Sequence, residues 1–155
     1  MLITTFFSTV NYLGVFFNNF EKMAKDAKKN NLNIIAVSTY RSYNYQVKIY
    51  NQYVKADGQE KVDTYSGRPG HSEHQTGLAI DLTSLEHPYI NNTEESFDKS
   101  EEYEWLKNNC HKYGFILRYP EGKEKITGYM YEPWHYRYVG TEIATEITKE
   151  NLTYE

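Results

Sequence analysis

An aspartate sits inside an apolar run, Leu78-Ala79-Ile80-Asp81-Leu82. Leu78, Ile80 and Leu82 alternate with Ala79 and Asp81, which is the period of a β-strand. With those three on the core, Asp81 points to the opposite side, into a cleft. A carboxylate removed from water there needs a hydrogen-bonding partner or a metal. The rest of the chain has to bring one to this strand.

The 155 residues suit one domain with a single hydrophobic core. Leu13, Phe16, Phe17, Phe20, Met23, Ala24 and Ala27 recur at helical spacing, and residues 28–31 suit the end of that helix. Ile34, Ile35 and Val37 make 32–38 read as a buried strand. Ser42 caps a second helix carrying Val47, Tyr50 and Val54, which Asp57-Gly58 ends. Residues 61–73 read as a loop and 84–99 as a polar surface excursion. Ser100, with Glu101 and Glu102, opens a third helix bearing Leu106 and Cys110, and Gly114 closes it. Phe115 to Tyr119 is a strand candidate, and a turn at 120–123 leads by hairpin to a second at 126–131. Residues 134–139 favour strand again, and a short helix from about Thr141 finishes the chain. The expected fold is a single α+β domain over 1–155, with 1–12 peripheral and helices packed on a central antiparallel sheet.

Composition removes several classes. The formal net charge is −4, and no basic stripe is present to neutralise the phosphates of a nucleic acid. Cys110 is the only cysteine, so neither an intrachain disulfide nor a Cys-rich zinc knuckle is available. It reads as a buried filler. No Lys or Arg precedes Lys22, so the start lacks the positive region of a signal peptide. Thr4, Thr5, Ser8, Thr9 and Asn11 break its apolar run and argue against a membrane span. An export signal or anchor is expected outside this sequence, with a cytoplasmic location left open. The sixteen tyrosines read mainly as strand and packing residues.

Three segments concentrate the reactive side chains: 72–81 with Ser72, His74 and Asp81; 132–135 with Glu132 and His135; and 38–46 with Arg41 and Gln46. Catalytic zinc takes about three protein ligands and keeps a position open. Two neutral imidazoles and one carboxylate leave the ion with net positive charge, which polarises carbonyls and acidifies water. Gly77 lets the backbone turn between His74 and the strand. Pro133 keeps 132–135 out of a helix interior, so Glu132 belongs to a turn or strand entry, where it can serve as a general base. No His pair has the HExxH spacing of many zinc peptidases. His71, His87 and His111 read as surface or satisfied core histidines. Arg41, directly after an apolar strand, reads equally well as an ordinary surface ion-pair residue.

Together these segments resemble the VanY-type D-alanyl-D-alanine carboxypeptidases and their L,D-carboxypeptidase relatives, within a wider group that includes D-Ala-D-Ala dipeptidases and the hedgehog signalling domain. Ser72, His74, Gly77, Ala79 and Asp81 match the family's S-x-H-x-x-G-x-A-x-D. Glu132, Trp134 and His135, in Glu-Pro-Trp-His, match a close form of its E-x-x-W-H, and Tyr40-Arg41-Ser42 with Gln46 matches Y-R-S-x-x-x-Q. The likeness runs from about residue 12 to the C-terminus.

The resemblance implies a zinc cleft at the sheet, with one Zn2+ per chain held by His74, Asp81 and His135. It implies Glu132 as catalytic base and Arg41 as oxyanion stabiliser and substrate-orienting residue. Gln46, Ser72 and Tyr119 become substrate contacts. The implied reaction is removal of the C-terminal D-alanine from peptidoglycan stem peptides, by a monomer in the cell envelope or outside the cell. Cleavage of an L,D bond in a tetrapeptide stem, a wall endopeptidase activity and a non-catalytic zinc-bearing binding module stay open as alternatives.

Overall fold

The computed structural model describes residues 2–87 and 96–155, with side chains from Leu13 onward. The expected surface excursion therefore falls partly on 88–95, and the side chains of the expected peripheral segment 1–12 fall wholly, outside the described residues.

Helix α1 (Leu2–Lys28) buries Phe16, Met23 and Ala27 along one face. Strand β1 (Ile34–Ser38) follows, then α2 (Tyr43–Asp57). Ser42 caps α2 as its spacing predicts, its hydroxyl accepting from the Tyr45 amide at 3.3 Å. Gly58 ends the helix, but a short α3 (Gln59–Val62) follows at once and takes up the first two positions of the expected 61–73 loop, with Val62 fully buried. Strand β2 (Ala79–Ser84) comes next. Helix α4 (Glu101–Asn109) is capped by Ser100 and continues as a 3-10 turn to Tyr113, where Gly114 stops it. Strand β3 (Phe115–Leu117), the short α5 (Glu124–Thr127), strand β4 (His135–Tyr138) and α6 (Thr141–Glu150) complete the order.

The four strands form one antiparallel sheet in the order β1-β2-β4-β3. Ile80 pairs with Tyr136 and Asp81 with His135. Alternation then divides the faces. Ile80, Leu82, Phe115 and Tyr136 meet Phe16, Met23, Phe97 and Leu106 in the core. Asp81 and His135 share the other face, and Arg137 joins them by its register opposite Ala79.

The α+β architecture agrees with the sequence reading, but three local expectations besides the start of the 61–73 loop do not hold. Strand β1 is an edge strand rather than a buried one, and Val37 is 45% exposed. No strand forms over 126–131: α5 and the left-handed Gly128 occupy that stretch, and β3 pairs instead with β4. Phe97, in the stretch read as surface, is 1% exposed and packs edge-on against Tyr103. Among the described residues, no helix is long and apolar enough to cross a membrane.

Gly77 links a 3-10 turn (Glu73–Thr76) to β2 at φ 72°, and a Cβ added there would lie 2.7 Å from Leu13 Cδ2. Gly77→Ala is expected to destabilise the chain by about 1–3 kcal/mol. A urea titration should show a lower midpoint with an unchanged slope.

Candidate active site

Asp81 stands at the centre of the polar sheet face. Its carboxylate lies 3.3 Å from His74 Nε2, 3.1 Å from His135 Nδ1 and 3.6 Å from an Arg41 nitrogen. Burial pushes its pKa up, but hydrogen bonds from His135 and His74 more than offset this and hold it below the usual carboxylate range. One ligand atom each from His74, Asp81 and His135 lies within 4.8 Å of the others, and all three residues are buried.

Different elements deliver the three. His74 comes from the 3-10 turn before β2, Asp81 from β2 itself, and His135 from the first position of β4. His74 Nδ1 lies 2.6 Å from the Thr39 carbonyl oxygen, which can only accept, so this nitrogen carries the proton. Nε2 is therefore the nitrogen that faces Asp81, and the one available to a metal. Two imidazoles and one carboxylate in a buried cluster are the donor set and number that suit zinc. The carboxylates on either side of His135 favour its protonated form. Burial favours neutral His135, yet hydrogen bonds to Asp81 and Glu73 raise its pKa to about 9. That proton has to leave before the ring can ligate.

Glu132 lies on the turn before β4, as Pro133 predicts. Its carboxylate is 3.8 Å from His135 Nδ1. Burial raises its pKa to about 8, with repulsion from Asp81 adding to this and attraction to His135 opposing it. Arg41 donates to Gln46 Oε1 and to Ser38 Oγ, each at 3.1 Å. Those bonds aim its guanidinium beside Asp81.

A single cavity of about 540 Å³ is lined by Arg41, Ser72, His74, Asp81, Tyr119, Glu132 and His135. Seven of the eight residues singled out from the sequence therefore share one cleft. The Ser72 hydroxyl does not cap the turn it precedes. Tyr119 stacks on Tyr129 at 4.6 Å and leans on His135 at 5.0 Å. Gln46 is the exception. It is fully buried behind the wall, where its amide donates to the Gly67 carbonyl at 2.7 Å and its Oε1 is taken by Arg41. From there it supports Arg41 and the 66–67 loop.

The sequence reading passed over other members. His71, set aside as ordinary, is exposed and lines the cavity. Tyr53, Asp57, Lys61 and Tyr65 form an outer wall from α2, α3 and the turn after it. Glu73 sits between two sequence-matched residues without having been assigned a role. Its Oε2 is 3.3 Å from His135 Nε2, and its Oε1 accepts from Arg118 Nε at 2.9 Å. Burial would raise the Glu73 pKa, but His135 and Arg118 hold it at about 2. A carboxylate beside a candidate ligand was the available signal. Its arginine partners emerge only from the strand register.

Known proteins resemble this chain in sequence and in fold. The family profile described as VanY, D-alanyl-D-alanine carboxypeptidase, matches residues 15–141. The Bacillus subtilis protein YodJ is 46% identical over 129 residues, covering 83% of this chain and 46% of YodJ. The solved structure of the LdcB LD-carboxypeptidase matches with a TM-score of 0.82 at 41% identity, covering 90% of this chain and 64% of that one. A vancomycin-resistance D,D-pentapeptidase VanY, solved in complex with Zn(II), matches with a TM-score of 0.76 at 35% identity, covering 89% and 78%. The chain spans about half the length of the curated relatives it matches.

Gln46→Met keeps the volume but leaves the Gly67 carbonyl and the Arg41 head without their partners. The expected loss is about 1–3 kcal/mol of stability, measured by chemical denaturation.

Proposed function

The chain belongs to the VanY family of D-alanyl-D-alanine carboxypeptidases, and from that premise we propose that it is a zinc-dependent D,D-carboxypeptidase removing the terminal D-alanine of peptidoglycan stem peptides. The observation that carries this reading is the convergence of His74, Asp81, His135, Glu132 and Arg41 on one cavity. A binding module needs the ligand set but has no use for a buried, unclamped carboxyl beside it. His74, Asp81 and His135 are the proposed ligands of one zinc per chain. The proposed setting is a monomer acting in the cell envelope or outside the cell, where stem peptides are found.

When bound, zinc supplies Lewis-acid charge that polarises the scissile carbonyl and acidifies water. The chain's own groups do the rest. Glu132 takes the proton of the attacking water and returns it to the departing D-alanine amine. Arg41, held by Gln46 and Ser38, presents its guanidinium to the negative charge that develops on the carbonyl oxygen. Ser72 and Tyr119 bind and orient the peptide end from the cavity wall. No side chain in this scheme forms a covalent intermediate.

The likeness to the LdcB LD-carboxypeptidase favours a second reading, cleavage of an L,D bond in a tetrapeptide stem. Both readings release a C-terminal D-alanine and differ in the residue before it. Digestion of pentapeptide and tetrapeptide stems with added zinc, followed by mass spectrometry, separates them. Loss of one alanine from the pentapeptide is expected. Shortening of the tetrapeptide alone selects the L,D reading, an internal cut selects the endopeptidase, and no cleavage in either selects the binding module.

Glu132→Ala is expected to keep stoichiometric zinc while kcat falls by about 10²–10⁴-fold. His74→Ala is expected to lose the metal itself. Metal analysis of the purified variants alongside the digest checks both, and equal turnover in Glu132→Ala and wild type would remove Glu132 as the base.

A further inference from the structure

His135 is held differently from His74. The far nitrogen of His74 is fixed by a backbone carbonyl, Thr39 O at 2.6 Å. The far nitrogen of His135 has only a side chain to meet: Nδ1 faces Asp81 at 3.1 Å, and Nε2 faces Glu73 Oε2 at 3.3 Å. We propose that Glu73 is a positioning residue for the metal centre, accepting the Nε2–H of His135 so that the ring presents Nδ1 to the ion. This rests on the zinc reading above.

Glu73 is itself placed for such a task. Its Oε1 accepts from Arg118 Nε at 2.9 Å and lies 3.5 Å from an Arg137 nitrogen. Both arginines project from the sheet face that carries His135: Arg137 lies two positions along the same strand, and the Arg118 amide bonds to the His135 carbonyl at 3.0 Å. With Oε1 held by guanidiniums, only Oε2 is free to meet the imidazole. The same grip keeps a carboxylate adjacent in sequence to His74 from swinging into the ligand cluster as a competitor. An outer carboxylate of this kind fixes a ligand's tautomer and ring orientation, and its loss typically weakens metal binding by about 10–100-fold.

A purely structural role for Glu73 would tie the 3-10 turn to β4 and nothing more. Two measurements on the full chain separate these possibilities. The first is nitrogen-15 NMR of the histidine rings in the zinc-loaded wild type. The proton of His135 is expected on Nε2, exchanging slowly, with the metal on Nδ1. A proton on Nδ1 with the metal on Nε2 overturns the proposal, whether or not any variant folds. The second is zinc affinity by competition with a chromophoric chelator. Glu73→Ala is expected to bind zinc about 10–100-fold more weakly and to lose the protected Nε2–H signal. Unchanged affinity, or survival of that signal in Glu73→Ala, overturns it. A wild-type chain that takes up no zinc defeats the metal reading and the Glu73 role with it. Zinc uptake followed by either negative result defeats the Glu73 role alone.

Discussion

The pairing of Asp81 with His135 across β2 and β4 is the contact on which the molecule is organised. A carboxylate in the middle of a sheet is costly unless charged or hydrogen-bonding partners surround it. Here the partners come from three directions. His135 arrives by strand register, His74 by the turn that feeds β2, and Arg41 by the segment leaving β1. None is close in sequence to all the others. The antiparallel order β1-β2-β4-β3 places β2 between the strands that deliver Arg41 and His135. Register also fixes the chemistry. Slipping β4 by one residue would exchange His135 for Tyr136, turning the imidazole into the core and a tyrosine into the cleft.

That same alternation explains how a small sheet serves two environments. Ile80 and Tyr136 face helices α1 and α4, whereas Asp81, His135 and Arg137 lie on the opposite face, where Asp81 and His135 line the cavity. The core side supplies rigidity to the polar side. Tyr136 is completely buried directly between His135 and Arg137, which project from the other face of β4. Side chains mounted on such strands hold their geometry better than side chains mounted on loops. The loop elements that do contribute are pinned. Gly67 approaches Ser72 so closely that a Cβ would meet the Ser72 Cα at 2.9 Å, and Gln46 bonds the Gly67 carbonyl from behind.

Much of this was legible in the residues because local chemistry and tertiary position agreed. Ser42 and Ser100 had no better use than capping, and both cap. Asp81 in an apolar alternation announced a buried carboxylate before its partners were known. The misreadings have a common physical origin: each depended on a neighbour that sequence does not name. Ile34, Ile35 and Val37 are apolar whether one strand flanks them or two, so edge position was invisible. The 126–131 stretch has aromatic and branched residues, but β4 had already satisfied the free edge of β3. Phe97 is a single aromatic among polar residues and carries no period. Gln46 occupies a helix position compatible with either a cleft or an interior. Only the bonds to Arg41, Ser66 and Gly67 place it inside.

Glu73 and Glu132 bring the electrostatic logic to its sharpest form. Both are acidic, both are largely buried, and both lie within 4 Å of a nitrogen of His135. Their environments nevertheless drive them apart. Glu73 accepts from Arg118 with Arg137 close by, and its pKa is held at about 2. Glu132 has no guanidinium bonded to it among the described residues, and burial lifts its pKa to about 8. A carboxylate clamped by arginines holds its charge and its position, which suits an anchor. A carboxyl whose proton is loosely poised near neutrality suits transfer of that proton. The sheet thus gives two chemically identical groups opposite acidities, one with guanidiniums on its far side and the other buried beside His135 with none bonded to it among the described residues.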